Sequence, residues 1–119
     1  MNVLVGIDGG ERAFAAFERT ITRARETGDD LTVAVVVDET DHPERVEDRV
    51  RETLDEAGIE APIRRIEGHA GGGLVELANE GFDRVVVGDG ERTPTGKIRL
   101  GPTAEFVLLN AETSVTLAR

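Results

Sequence analysis

Apolar positions along the chain fall into two kinds of segment that alternate. Asn2-Val-Leu-Val-Gly-Ile7 is a nearly unbroken apolar run ended by Asp8-Gly9-Gly10, the pattern of a strand buried on both faces entering a turn. Phe14, Phe17, Ile21 and Ala24 then recur at helical spacing, and Gly28 closes that helix. Leu31 to Val37 is almost continuous β-branched sequence, a second buried strand. Val46, Val50, Leu54 and Ala57 form one helical stripe stopped by Gly58. Asp41 and Glu44 read as its capping box, Pro43 as first-turn proline, and Glu47 with Arg51 as a favourable pair on its charged face. Ala61 to Ile66 is a weaker strand. Gly71-Gly72-Gly73 precede a short helix bearing Leu74, Leu77 and Ala78, ended by Gly81. Arg84-Val-Val-Val87 is a further buried strand, Gly88 to Gly101 a loop rich in Gly, Thr and Pro, Thr103 to Leu109 a helix, and Ser114 to Ala118 a last strand.

Strict β-α alternation with five strands predicts an α/β fold: a doubly wound, Rossmann-like parallel sheet with helices on both faces and right-handed crossovers. The expected strand order is 3-2-1-4-5. At 119 residues the chain suits one domain, 1–119.

Composition narrows the function. The chain has no Cys, which removes disulfides, thiol catalysis and thiolate zinc sites. Aromatics are 3% with no Trp or Tyr, so the core is aliphatic and aromatic platforms for nucleobases are absent. The formal charge of −10 repels nucleic acid and anionic membrane, so neither is an expected partner. No secretory pattern opens the chain and no run of 18 apolar residues occurs, so a cytoplasmic location is expected. Only one of the 14 basic residues, Lys97, is a lysine. An acidic, lysine-poor surface suits a cytoplasm of high ionic strength, where salt screens self-repulsion.

In sheets of this kind, ligands bind beyond the carboxyl ends of the strands where the strand order reverses. That places Asp8-Gly9-Gly10 beside the Gly88–Gly101 loop. The loop carries Asp89, Glu91, Arg92, Lys97 and Arg99, a local excess of one positive charge beside glycine backbone. The competing reading is a surface loop that gathers Gly and Pro for turn geometry. Thr95-Gly96-Lys97-Ile98 is not a phosphate-binding P-loop: Glu91 stands where its first glycine belongs, and Ile98 where Ser or Thr follows the lysine.

Here the chain resembles the universal stress protein family over essentially its whole length. The family signature after the fourth strand is Gly, two residues, Gly, nine residues, Gly, then Ser or Thr. Gly88 and Gly101 match the first and third glycines at the right separation. Asp83-Arg-Val-Val-Val87 matches the preceding strand and Thr103-Ala-Glu-Phe-Val-Leu-Leu-Asn-Ala111 the following helix. Val3-Leu-Val-Gly-Ile-Asp8-Gly9 and Val35-Val-Val-Asp38 match the ends of the first two strands. The resemblance implies the adenine nucleotide alpha hydrolase-like variant of the fold and a regulatory, non-enzymatic module in stress response. It also implies homodimerisation through the last strand, with Val115 and Leu117 as edge residues. In nucleotide-binding members the aspartate after the first strand and a valine ending the second hold adenosine; here these are Asp8 and Val36. Signature glycines and the hydroxyl hold ribose and phosphates. The candidate set for ATP or another adenine nucleotide is therefore Asp8, Gly9, Val36, Gly88, Gly90, Arg92, Gly96, Lys97, Gly101 and Thr103. The chain departs from the signature twice. Glu91 replaces the second glycine, with Gly90 one residue earlier, and Pro102 replaces the final Ser or Thr, with Thr103 beside it. These departures leave open a different small anion as ligand, or a homodimeric interaction protein of the same fold that binds no nucleotide.

Other chemistry is poorly represented. His42 and His69 have no partner at metal-ligand spacing and read as surface or capping residues. Asp8 has a plain alternative as a helix cap. Asp38 reads as a solvated turn residue, and the glycine run at 71–73 as either a close approach to a ligand or a loose helix entry. The only serine, Ser114, lies in the last strand, which leaves no Ser-His-Asp set. A response-regulator receiver needs an aspartate ending the third strand, and Arg65-Ile66-Glu67-Gly68 has none.

Overall fold

The structure, a computed structural model, describes residues 1–88, 91–92, 98–99 and 101–118. Strands β1 (Asn2–Ile7), β2 (Asp30–Val36), β3 (Ile63–Ile66), β4 (Arg84–Gly88) and β7 (Ser114–Ala118) form one parallel sheet in the order β3-β2-β1-β4-β7. This is the expected 3-2-1-4-5 order. Helices α1 (Glu11–Thr27), α2 (Pro43–Ala57), α3 (Ala70–Ala78) and α4 (Pro102–Asn110) fill the crossovers. A two-residue antiparallel pair, β5 (Glu91–Arg92) with β6 (Ile98–Arg99), adds a small hairpin where the sequence reads as loop.

Alternation along the strands sorts the core into two layers. Val3, Val5, Ile7, Val33, Val35 and Val86 face α1 and α2, meeting Phe14, Phe17, Val50 and Leu54. Leu4, Ala34, Val36, Val85 and Val87 face α3 and α4, meeting Leu74, Leu77 and Val107. Each fully buried Val or Leu side chain contributes about 1.5–3 kcal/mol, so these aliphatic layers suffice without Trp, Tyr or a disulfide. Val115 and Leu117 pack against the second layer. Both are partly buried, and β7 is an edge strand, as expected of the last strand.

Several local expectations are corrected. Helix α2 has His42 and not Asp41 at its N-cap, without a side-chain bond; Thr40 Oγ1 accepts the His42 N–H instead (3.2 Å). Pro43 does sit in its first turn. Glu47, 8% exposed, pairs with Arg65 of β3 through two hydrogen bonds, and not chiefly with Arg51. Asp38 is exposed, as expected of a turn residue, and its carboxylate also accepts the Gly68 N–H, tying the segment after β2 to the segment after β3. The glycine run lies inside α3 and not before it. A Cβ at Gly71 would stand 2.8 Å from Phe106, and one at Gly73 would overlap Ile66 Cγ2, so the glycines let α3 press onto α4 and β3. His69 takes the capping role expected of a histidine: Nδ1 accepts the Gly72 N–H (2.8 Å).

Candidate functional site

Because β1 and β4 are adjacent, with Val3 opposite Arg84 and Val5 opposite Val86, the turns that follow them open side by side. A cavity of about 430 Å³ lies there, at the carboxyl ends of the strands where the order reverses. Gly6, Ile7, Val36, Leu74 and Val87 give it apolar walls, while Asp8, Glu11, Arg12 and Thr103 bring polar groups.

The sequence builds this corner by a tight turn. Gly9 adopts φ +94°, a left-handed conformation that side-chain-bearing residues rarely take, and a Cβ there would meet Val46 Cγ2 at 3.0 Å. Asp8 Oδ1 accepts the Gly10 N–H (2.9 Å), closing a side-chain turn just ahead of α1. Gly10, not Asp8, is the α1 N-cap, and it has no side-chain cap bond. Asp8 Oδ2 has no partner among the described residues.

Two helices begin at the cavity. The first turns of α1 (Glu11, Arg12, Ala13) and α4 (Thr103, Ala104) both line it, bringing the positive ends of two helix dipoles to one place. Pro102 occupies the first position of α4, where a missing N–H disturbs no intrahelical bond. Gly88 brings β4 against α1; a Cβ on it would lie 3.6 Å from Ala13 Cα.

At the mouth, Arg49 of α2 grips Glu11 with both terminal guanidinium nitrogens (Nη1 to Oε1 2.9 Å, Nη2 to Oε2 3.3 Å). The same guanidinium lies 3.8 Å over the Phe14 ring. Hydrogen bonding from Arg49, and then its charge, hold the Glu11 carboxyl below its ordinary range. Glu11 is thus anionic at neutral pH, with its charge met by a partner on the neighbouring helix.

Of the ten candidates, Asp8, Val36, Gly88 and Thr103 are brought together in this cavity. Gly9 is turned toward Val46 and Thr40 and serves the turn. Gly101 is the α4 N-cap, two residues before the lining residue Thr103. Gly90, Gly96 and Lys97 lie outside the described residues, as does the side chain of Arg92. Sequence reading missed Glu11, Arg12 and Leu74. Arg12 carries a usable signal: it lies two residues past the glycine turn, hence in a helix first turn. Among the described residues no group of His, Asp and Glu has a metal-binding arrangement, and no helix is long and apolar enough to cross a membrane.

With this geometry in place, comparison with known proteins is informative. The model of the universal stress protein family matches residues 38–119, so the chain belongs to that family. No curated protein matches it significantly. Among solved structures, a universal stress protein in complex with cAMP is 26% identical, with a TM-score of 0.79, over 100% of this chain and 96% of that one. A universal stress protein from Archaeoglobus fulgidus (21% identical, TM-score 0.82) is covered over 98% of its length by 100% of this chain. A family protein from Arabidopsis thaliana with AMP bound (15% identical, TM-score 0.72) shares the fold over 99% of this chain and 90% of that one.

Proposed function

We propose that this chain is a regulatory module of the stress response that binds an adenine nucleotide in the cavity between the ends of β1 and β4. The observation that carries the reading is the convergence of Asp8, Val36, Gly88 and Thr103, each named from sequence, on one cavity of about 430 Å³ with two helix N-termini at its wall. That volume falls in the range of small-molecule sites, roughly 300–1,000 Å³. The relatives solved with cAMP and with AMP support the ligand class. In this reading Val36 and Leu74 pack the base, Asp8 accepts hydroxyl hydrogen bonds through its open carboxylate oxygen, and Thr103 with the first turns of α1 and α4 faces the phosphate. The module works without catalysis, as a ligand-responsive homodimer joined through β7.

A second reading has its own observation. Glu91 and Pro102 stand where the family signature has glycine and a hydroxyl residue, and Pro102 takes a helix N1 position without an N–H. These favour an interaction protein of the same fold that binds no nucleotide.

Calorimetric titration with ATP, ADP, AMP and cAMP at constant high salt separates the two. The nucleotide reading predicts micromolar binding of at least one, weakened about tenfold by Asp8→Asn, which keeps the acceptor for Gly10 but loses the charge. Glu91→Gly combined with Pro102→Ser is expected to tighten phosphate-bearing ligands. Millimolar or absent binding of all four supports the second reading.

A further inference from the structure

A second concavity lies at the other end of the sheet. Its volume is about 210 Å³, and it sits between the flank of α1 and the strands β1, β4 and β7. It opens near the starts of the strands, at Val3 and Arg84, whereas the nucleotide cavity opens at their ends. Four strand steps separate Val3 from Ile7, roughly 13 Å. The cleft exists because β7 is the edge strand and shows a polar side, Ser114 and Thr116, to the α1 face, while Val115 and Leu117 turn to the opposite layer.

Three arginines line this cleft in a chain of net charge −10. Arg19 and Arg23 stand one turn apart on α1, a like-charged pair that disfavours itself without an anion. Arg84 opens β4, half-buried, opposite Val3 on one side and Ser114 on the other. Arg19 and Arg84 have no carboxylate partner among the described residues. Asp29 is the one acid in the lining, and it is already engaged: Met1's amine bonds Oδ1 (3.1 Å), and Arg23 Nε stands 4.0 Å from Oδ2. Thr116 adds a hydroxyl, and Val3 and Val86 supply a buried apolar floor.

We infer that this cleft is a binding site for a small organic oxyanion, a carboxylate or phosphate held by Arg19, Arg23 and Arg84 with a short apolar body resting on Val3 and Val86. Planar guanidinium groups match such oxyanions bidentately, and relief of their mutual repulsion adds to the attraction. The volume is below that of drug-sized sites, which limits the occupant to a few carbon atoms. The inference is independent of what fills the nucleotide cavity.

The test is an amide-shift titration of the folded chain by two-dimensional NMR at constant chloride, with isovalerate, acetate and inorganic phosphate as probes. The expected result is a saturable shift at Val3, Thr20, Val86 and Thr116 for isovalerate or phosphate, with Asp8 and Thr103 nearly still. Tighter binding of isovalerate than of acetate identifies a carboxylate with an apolar body; saturation by phosphate alone identifies a phosphate group. Arg84→Gln is expected to weaken binding about tenfold. The exposed double variant Arg19→Gln/Arg23→Gln does the same where Arg84→Gln fails to fold. Shifts that grow linearly with every probe, saturation unchanged in the variants, or shifts that follow protein concentration instead of probe would each overturn the inference, the last by making the cleft an interface between copies.

Discussion

At Gly73 of α3 a methyl group would collide with Ile66 of β3, and at Gly71 with Phe106 of α4. Alanine is the better helix former by about 1 kcal/mol, yet overpacking costs about 1–3 kcal/mol. Gly73→Ala is therefore expected to lower stability by up to about 2 kcal/mol net, read as a drop in the denaturant midpoint; a raised midpoint would show that α3 relaxes freely. The sequence reading took these glycines for a ligand approach or a loose helix entry, because the residues they meet lie on other elements. The Asp38 hydrogen bond is hidden in the sequence for the same reason: its partner, Gly68, follows a different strand. Asp8, Val36, Gly88 and Thr103 were legible because strand ends can be seen in the chain, and parallel topology gathers strand ends at one edge.

Among the described residues, ion pairs tie elements to one another, and these set the response to acid. Glu47 bonds Arg65 and so joins α2 to β3; Glu11 bonds Arg49 and joins α1 to α2. Hydrogen bonds from the arginine in each case hold Glu47 and Glu11 below their ordinary range in the folded chain, and hydrogen bonds from Thr27 and then the N-terminal amine do the same for Asp29. An unfolded chain therefore takes up protons first as pH falls. The stability these groups contribute is present above the ordinary carboxylate pKa, about 4, and is lost as pH drops through the lowered folded values. Unpaired carboxylates oppose this by losing repulsion on protonation, so the acid limb belongs in high salt, where repulsion is screened. Stability measured there is expected to fall below about pH 4, and Arg65→Gln is expected to flatten that fall. A limb of the same slope in the variant would remove Glu47 from the account. Helix and strand order were readable from apolar spacing. The β5–β6 hairpin was not, since four short strand residues amid Gly, Thr and Pro leave no period, and the Glu47–Arg65 pair joins elements that only folding brings together. The inward packing of Val115 gives a further expectation: Val115→Asp loses folded protein, by about 1–3 kcal/mol, and not merely dimer, as a denaturation curve beside light scattering would show.

For the whole molecule, charge and site meet in one question of conditions. A chain of 24 acidic and 14 basic residues repels itself in dilute buffer, and the Debye length of about 3 Å at 1 M salt removes most of that repulsion. The unfolding temperature is expected to rise steadily from dilute buffer to molar KCl; full stability in dilute buffer would contradict a salt-adapted surface. Light scattering in the same salt is expected to give twice the chain mass of 12.8 kDa if β7 joins two copies, and a monomer would remove that interface. The central claim concerns the cavity where β1 and β4 end. Its most direct test is an AMP titration in molar KCl, followed by the backbone amide resonances of the uniformly labelled chain. Saturable shifts at Ile7, Asp8, Val36, Val87 and Thr103, with affinity weakened about tenfold in Thr103→Val or Asp8→Asn, are the predicted result. Saturation with shifts elsewhere, or none at those five residues at millimolar AMP, would contradict it.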